Sequence, residues 1–193
     1  MLNSKKERKM KKVIFLVLLS TVGLFVSAQT VRYVTLTGNG NGTSWQNSSG
    51  DLQAMIDTVF KRGGGEVHVA AGKYLPIYHA NGSSQNSRDR AFVLKSNVSI
   101  YGGYSSTDTT IGRNGKAYPT ILSGNIGDTG SVTDNCYHVV VSAGEAGTVC
   151  LDGLIIQDAL SIYSDTGSIN IKGYTIRRDC GGGMAVYASN VKF

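Results

Sequence analysis

The sequence is poor in most of what marks a specialised small protein. It has three cysteines, two prolines and one tryptophan in 193 residues. Cys136, Cys150 and Cys180 can close at most one disulfide, which excludes a disulfide-stapled scaffold, and they lack the paired spacing of a zinc site. They read as small buried or semi-buried thiols. Long apolar runs are missing apart from Val13 to Val26, which is interrupted at Ser20, Thr21 and Gly23 and falls short of the roughly 20 residues of a membrane span. An excess of charge is missing too, once the front of the chain is set aside. Lys5, Lys6, Arg8, Lys9, Lys11 and Lys12 precede the apolar run, and Val26-Ser27-Ala28 follows it. Basic, then apolar, then small is the layout of a secretory signal peptide, with cleavage expected between Ala28 and Gln29. Met10 serves equally well as a start, and an N-terminal membrane anchor is the alternative. No cysteine lies at the cut, so a lipid anchor is not indicated. Removing residues 1–28 takes six of the 19 basic and one of the 13 acidic residues and brings the net charge from +6 to near +1. Nothing then favours nucleic acid as a partner, and no transmembrane span is left.

What remains is about the size of one domain, rich in glycine (25 in the whole chain) and tyrosine (ten). Short apolar alternations followed by glycine recur: "VTLTG" from Val34, "VSIYG" from Val98, "TILSG" from Thr120, "VCLDG" from Val149 and "INIKG" from Ile169, with "VHVAAG" from Val67 and "VVVSAG" from Val139 as a related form. Alternation of period two predicts strands with one face buried, and the glycine a bend or bulge. "VCLDGLII" and "INIKGYTI" match at an offset of 20 residues. Strand-and-turn units repeated every 20 to 30 residues or so cannot bury a face alone but can when stacked, which predicts a parallel β-solenoid; a β-sandwich is the alternative. One segment has helical spacing. Leu52, Met55, Ile56, Val59 and Phe60 form a stripe, Ser48 with Asp51 offers an N-terminal cap, and Gly63 to Gly65 provide a stop. Such a helix suits the open apolar end of a first coil.

The succession "RYVTLTGNGNGTSWQN", helix, "GGGEVHVAAGKY", "FVLKSNVSIYGGYSS", "YPTILSGNIGD", "CLDGLIIQD" and "GGGMAVYASNVKF" resembles the N-terminal part of secreted bacterial right-handed parallel β-helix proteins of the pectin-lyase-like superfamily. It is similar especially to surface proteins related to polymorphic outer membrane proteins. The resemblance spans about Arg32 to Phe193. It implies an all-β fold, a right-handed parallel β-helix with one N-terminal capping α-helix. It also implies a secreted or outer-surface location on a Gram-negative-type bacterium. The expected organisation is a signal peptide (1–28), an entry strand and capping helix (29–65) and β-helix coils (66–193). Members of the superfamily include lyases, hydrolases and adhesins, so the resemblance says little about activity.

Several residues invite a chemical reading. "TGNGNGTSW" lacks the spacing of a dinucleotide fingerprint and the Lys of a Walker loop, and reads as a flexible turn with Trp45 packed beneath it. A lyase would need acidic calcium ligands and a basic residue, for which Asp152, Asp158, Asp179, Lys172, Arg177 and Arg178 are candidates. The 20-residue offset instead stacks Lys172 over Asp152 and Arg178 over Asp158 as structural ion pairs. No catalytic, metal or cofactor site is assigned. His68, His79 and His138 are scattered and read as packing or surface residues. Among the tyrosines, Tyr101, Tyr104 and Tyr174 are the candidates for glycan contact, as rings able to stack on sugars. Asp57-Thr58-Val59 and Asp108-Thr109-Thr110 resemble bacterial O-glycosylation sites, Thr109 being the better.

The expected function is therefore a secreted or outer-surface, non-catalytic β-helix protein in adhesion or glycan contact, with an extracellular glycan or cell-surface ligand as partner. The alternatives are an N-terminal fragment of a polysaccharide lyase or glycoside hydrolase, and a truncated reading frame without independent function. The closing "SNVKF" aligns with "INIKG" at the same offset and reads as a strand just beginning. It suggests the N-terminal piece of a longer solenoid, able to self-associate through an open last coil.

Overall fold

A computed structural model describes residues 29–107 and 110–193. The expected signal peptide and its cut at Ala28, and the expected glycosylation at Thr109, lie outside these residues. Three parallel sheets run side by side along the molecule. The first comprises β1 (Thr30–Val34), β2 (Gly65–Ala70), β5 (Val98–Tyr104), β8 (Thr148–Asp152) and β13 (Asn190–Lys192). The second comprises β3 (Gly72–Tyr74), β6 (Thr120–Ser123) and β9 (Leu154–Gln157), and the third β4 (Phe92–Val93), β7 (Val140–Ala143) and β12 (Met184–Tyr187). The chain visits the sheets in turn: β2-β3-β4, then β5-β6-β7, then β8-β9-β12. Each circuit lies in register on the one before. This is a three-sided parallel β-helix.

The alternation read from the sequence builds its interior. Val67, Ile100 and Leu151 are register partners that point inward; so are Tyr74, Leu122 and Ile156, and Phe92, Val140 and Met184. Corners fall at the expected glycines in part. Gly153, at φ +69°, joins β8 to β9, and a Cβ there would lie 2.9 Å from the Gly102 carbonyl oxygen. "VTLTG" is the exception: β1 is "TVRYV", the strand ends at Val34, and Leu36 is half exposed.

Helix α1 (Leu52–Lys61) closes the N-terminal end of this interior with Leu52, Met55, Ile56 and Val59, all buried. Phe60, expected on the same stripe, is largely exposed, and Gln53 takes a buried place instead. The reason is the edge of β4. The Gln53 side-chain amide accepts from Val93 N (2.8 Å) and donates to Val93 O (3.0 Å), acting as a substitute strand where the sheet has no neighbour. The N-cap is Asp51, whose carboxylate accepts from Ala54 N at 2.9 Å, and not Ser48, whose hydroxyl is buried against Thr35. The C-terminus closes as a Schellman motif: Gly64 N donates to Val59 O and Gly63 N to Phe60 O, both at 3.0 Å.

The 20-residue repeat is overturned. "INIKGYTI" is not a coil but an antiparallel hairpin, β10 (Ser168–Ile171) and β11 (Tyr174–Arg177), inserted between β9 and β12. Ile171 faces Tyr174 across the two-residue turn Lys172-Gly173, with φ +52° and +86°. Two consecutive positive φ values give the primed turn whose twist suits a hairpin. The true successor of "TVC" is "NVK": Val149 pairs with Val191, so the closing residues do form a strand, in a register other than the expected one. The coils are correspondingly longer than 20 to 30 residues or so, since Ser99 pairs with Cys150 and Thr148 with Asn190.

The hairpin lies over the outer side of the third sheet. Ile169, Ile171 and Ile176 pack with Val93, Val141, Ala143 and Ala185 in a second apolar core. This sheet is thus buried on both faces, and β7 has no exposed residue. Charges fasten the insert. Asp89 accepts from Arg178 Nε (2.9 Å) and Nη2 (2.6 Å), Asp165 pairs with Arg88 at 3.2 Å, and Lys172 pairs with the buried Glu145. The expected stacking of Lys172 over Asp152 and Arg178 over Asp158 is thereby corrected, because Lys172 lies in the hairpin turn and Arg178 directly follows β11. Asp152 pairs with Arg113, and Asp158 accepts from Ser123 Oγ at 2.6 Å.

Candidate glycan-contact face

In-register stacking lines up outward residues as strictly as inward ones. Tyr33, His68, Tyr101 and Asp152 occupy successive strands of the first sheet at the same register position. With strands about 4.8 Å apart, such a column must touch. Tyr33 and His68 meet edge to face at 5.5 Å between ring centroids, and His68 and Tyr101 at 5.9 Å. A bulge widens the column. The pairing of β2 with β5 shifts between His68 and Ala70, where Gly103 takes φ +86°. The shift turns Tyr104 onto the outer face, where it stacks on His68 at 4.7 Å and 18°. The turn after β1 delivers Trp45 against Tyr33 (4.9 Å) and Tyr104 (5.2 Å). That turn is laced by backbone bonds, Gly40 N to Ser48 O and Gly42 N to Asn47 O at 2.7 Å each, and is less free than the sequence suggested.

Charged groups frame the rings. Arg113, from the loop between β5 and β6, donates to Gly102 O at 2.9 Å and pairs with Asp152. Its guanidinium lies 5.0 Å from the Tyr101 ring centroid and 5.9 Å from that of Tyr104. Glu66 accepts from His68 Nε2 at 2.7 Å. Burial pushes the Tyr104 phenol above its ordinary pKa, with Arg113 opposing and Glu66 reinforcing, so it stays a neutral donor at physiological pH. The result is a partly exposed patch of five rings bordered by a guanidinium and two carboxylates. It offers stacking planes beside hydrogen-bonding groups of both kinds.

The three tyrosines singled out in the sequence separate. Tyr101 and Tyr104 share this face; Tyr174 lies in the hairpin, against Gly144. Tyr33, Trp45, His68 and Arg113 belong to the face and were read only as packing residues or not at all. A signal was present: Tyr33, His68, Tyr101 and Asp152 hold the same place in "RYV", "VHV", "IYG" and "LDG". The proposed lyase carboxylates are dispersed, with Asp179 bound to Arg177. Among the described residues no three His, Cys, Asp or Glu side chains are grouped to hold a metal ion. Cys136 is buried, its thiol pushed up to about 12 by desolvation; Cys150 is half-buried, but Cys180 is exposed, against expectation. No helix among the described residues is long and apolar enough to cross a membrane.

Fold and face together define a parallel β-solenoid with one aromatic outer face. No family model, no curated protein and no solved structure matches the chain.

Proposed function

We propose that this chain is a secreted or outer-surface β-helix protein that contacts extracellular glycans, without catalysis, through the outer face of its first sheet. The observation that supports this most is the ring cluster Tyr33, Trp45, His68, Tyr101 and Tyr104, held partly exposed on a rigid ladder. Rings used only to cover a sheet need no charged frame. Here Arg113, Asp152 and Glu66 border the rings and present groups that match sugar hydroxyls. A rigid stack of strands orders these groups before binding, which lowers the entropic cost of contact. The signal-like N-terminus and the likeness to pectin-lyase-like surface proteins support the extracellular setting.

The test is a glycan array probed with the chain from Gln29 onward, followed by equilibrium binding to the strongest hits. Tyr104→Ala should weaken binding roughly 5- to 10-fold, the value of one lost aromatic stack. Tyr174→Ala should leave it unchanged. Equal losses from both variants would remove the face from the account.

A further inference from the structure

A concave site lies on another side of the molecule. A cleft of about 460 Å³ lies between helix α1 and the segment around strand β4. Two spacings line it. Ala54, Thr58 and Lys61 follow one helix stripe, and Ala91, Val93 and Lys95 are alternate residues along the segment that contains β4. The loop after β3 closes the third side with His79 and Ala80. The volume falls within the range of small-molecule sites, about 300–1,000 Å³.

The chemistry of the lining is uneven. The floor is apolar and short: Ala80, Ala91 and Val93 are at most 9% exposed. The mouth is basic. Among the described residues neither the Lys61 nor the Lys95 ammonium makes an ion pair or hydrogen bond. The lone carboxylate of the lining, Asp57, already accepts from Gln53 Nε2 at 3.2 Å. His79 Nε2 is buried without a partner. A ligand oxygen in the cleft would supply the missing partner when the ring turns toward it and the Nε2–H tautomer donates.

We propose that this cleft binds a small organic carboxylate. An apolar body of roughly ring size rests on Ala80, Ala91 and Val93, and the carboxylate lies between Lys61 and Lys95 within reach of His79 Nε2. The site is separate from the aromatic face and does not depend on its role.

The probe is benzoate, titrated at low ionic strength into the isotopically labelled chain from Gln29 onward and followed by amide chemical shifts. Saturable shifts are expected in residues 54–61, 79–82 and 91–95. The Lys61→Gln/Lys95→Gln double variant should bind at least 10-fold more weakly, as should Thr58→Trp, which fills the cleft. A thermal melt of each variant separates loss of the site from loss of the fold, and a variant that melts early is replaced by His79→Ala, which should weaken benzoate several-fold. Benzamide, neutral and of the same shape, and inorganic phosphate, charged but without an apolar body, should both bind more weakly than benzoate. The proposal is overturned if benzoate leaves these amides unmoved at millimolar concentration, if benzamide or phosphate matches it, or if folded variants bind as the parent does.

Discussion

The outer faces of the first and third sheets are built on the same parallel ladder and end in opposite states. On the third sheet the outward column is Val93, Val141 and Ala185, and a hairpin covers it. On the first sheet the outward column is Tyr33, His68, Tyr101 and Asp152, and it stays partly exposed. Backbone hydrogen bonding is alike in both, so the ladder does not decide. What decides is the size and polarity of the outward residues. Small apolar side chains leave a flat surface that gains from being covered, at roughly 25 cal/mol per Å² of apolar area. Aromatic rings with polar tips cover one another and keep their hydrogen-bonding ends in water. A three-sided solenoid can therefore assign separate tasks to its sides without altering the stack.

The comparison can be broken most severely from the covered side. Ile176, on strand β11 of the hairpin, is fully buried against the third sheet. Ile176→Ala should cost about 3 kcal/mol of stability in urea denaturation, the usual effect of emptying a well-packed site. Asp89→Asn should cost about 2 kcal/mol, since it leaves the Arg178 guanidinium, one-fifth exposed, without its two-point partner. Limited proteolysis should then cut within residues 158–180 before it cuts the coils.

A pH titration sharpens the same contrast. Burial holds the His138 imidazole below its ordinary value, partly offset by its bond to the Arg177 carbonyl in the hairpin. The unfolded chain takes up that proton at about pH 6.5, while the folded chain resists it until a lower pH. Stability is therefore full above about pH 6.5 and declines from there down to the folded value. Glu145, buried yet held low by Lys172 and Ser96, adds a further loss as the pH falls through its own depressed value. Melting temperatures of His138→Gln should lack the upper part of this decline and keep the lower part. On the open face the smallest effect is expected: Tyr101→Ala should change stability by about 1 kcal/mol, because its ring is only partly buried.

Much of this architecture was legible, and the misreadings share one origin. Period-two patterns located β2, β5, β6, β7 and β8, and the helical stripe located α1, because burial on one face imposes those spacings. The same pattern arises in any half-buried strand, parallel or antiparallel. "VCLDGLII" and "INIKGYTI" are alike residue by residue, yet Gly153 turns a corner between sheets and Gly173 closes a hairpin. Lys172-Gly173 between two alternating runs was the local sign of a hairpin, overshadowed by the apparent repeat. Once 168–177 is taken as a hairpin, the ion pairs of Lys172 and Arg178 change partners too. The candidate face was half legible. Tyr101 and Tyr104 were identified as rings, but their neighbours Tyr33, His68 and Trp45 come from other coils, and which rings meet depends on register. The bulge at Gly103, which turns Tyr104 outward, leaves no mark in the sequence beyond the glycine pair Gly102-Gly103.

The central claim, that the aromatic face of the first sheet is a glycan-contact surface, has a built-in reporter. Trp45 is the one tryptophan of the chain and packs against both Tyr33 and Tyr104. Its fluorescence, titrated with a panel of neutral and acidic oligosaccharides, reports on that face alone. The account predicts a saturable change with at least one sugar class, abolished or weakened in Tyr104→Ala and unaffected in Tyr174→Ala. A sugar that binds by calorimetry while the Trp45 emission stays constant, or a panel with no binder at all, would contradict it.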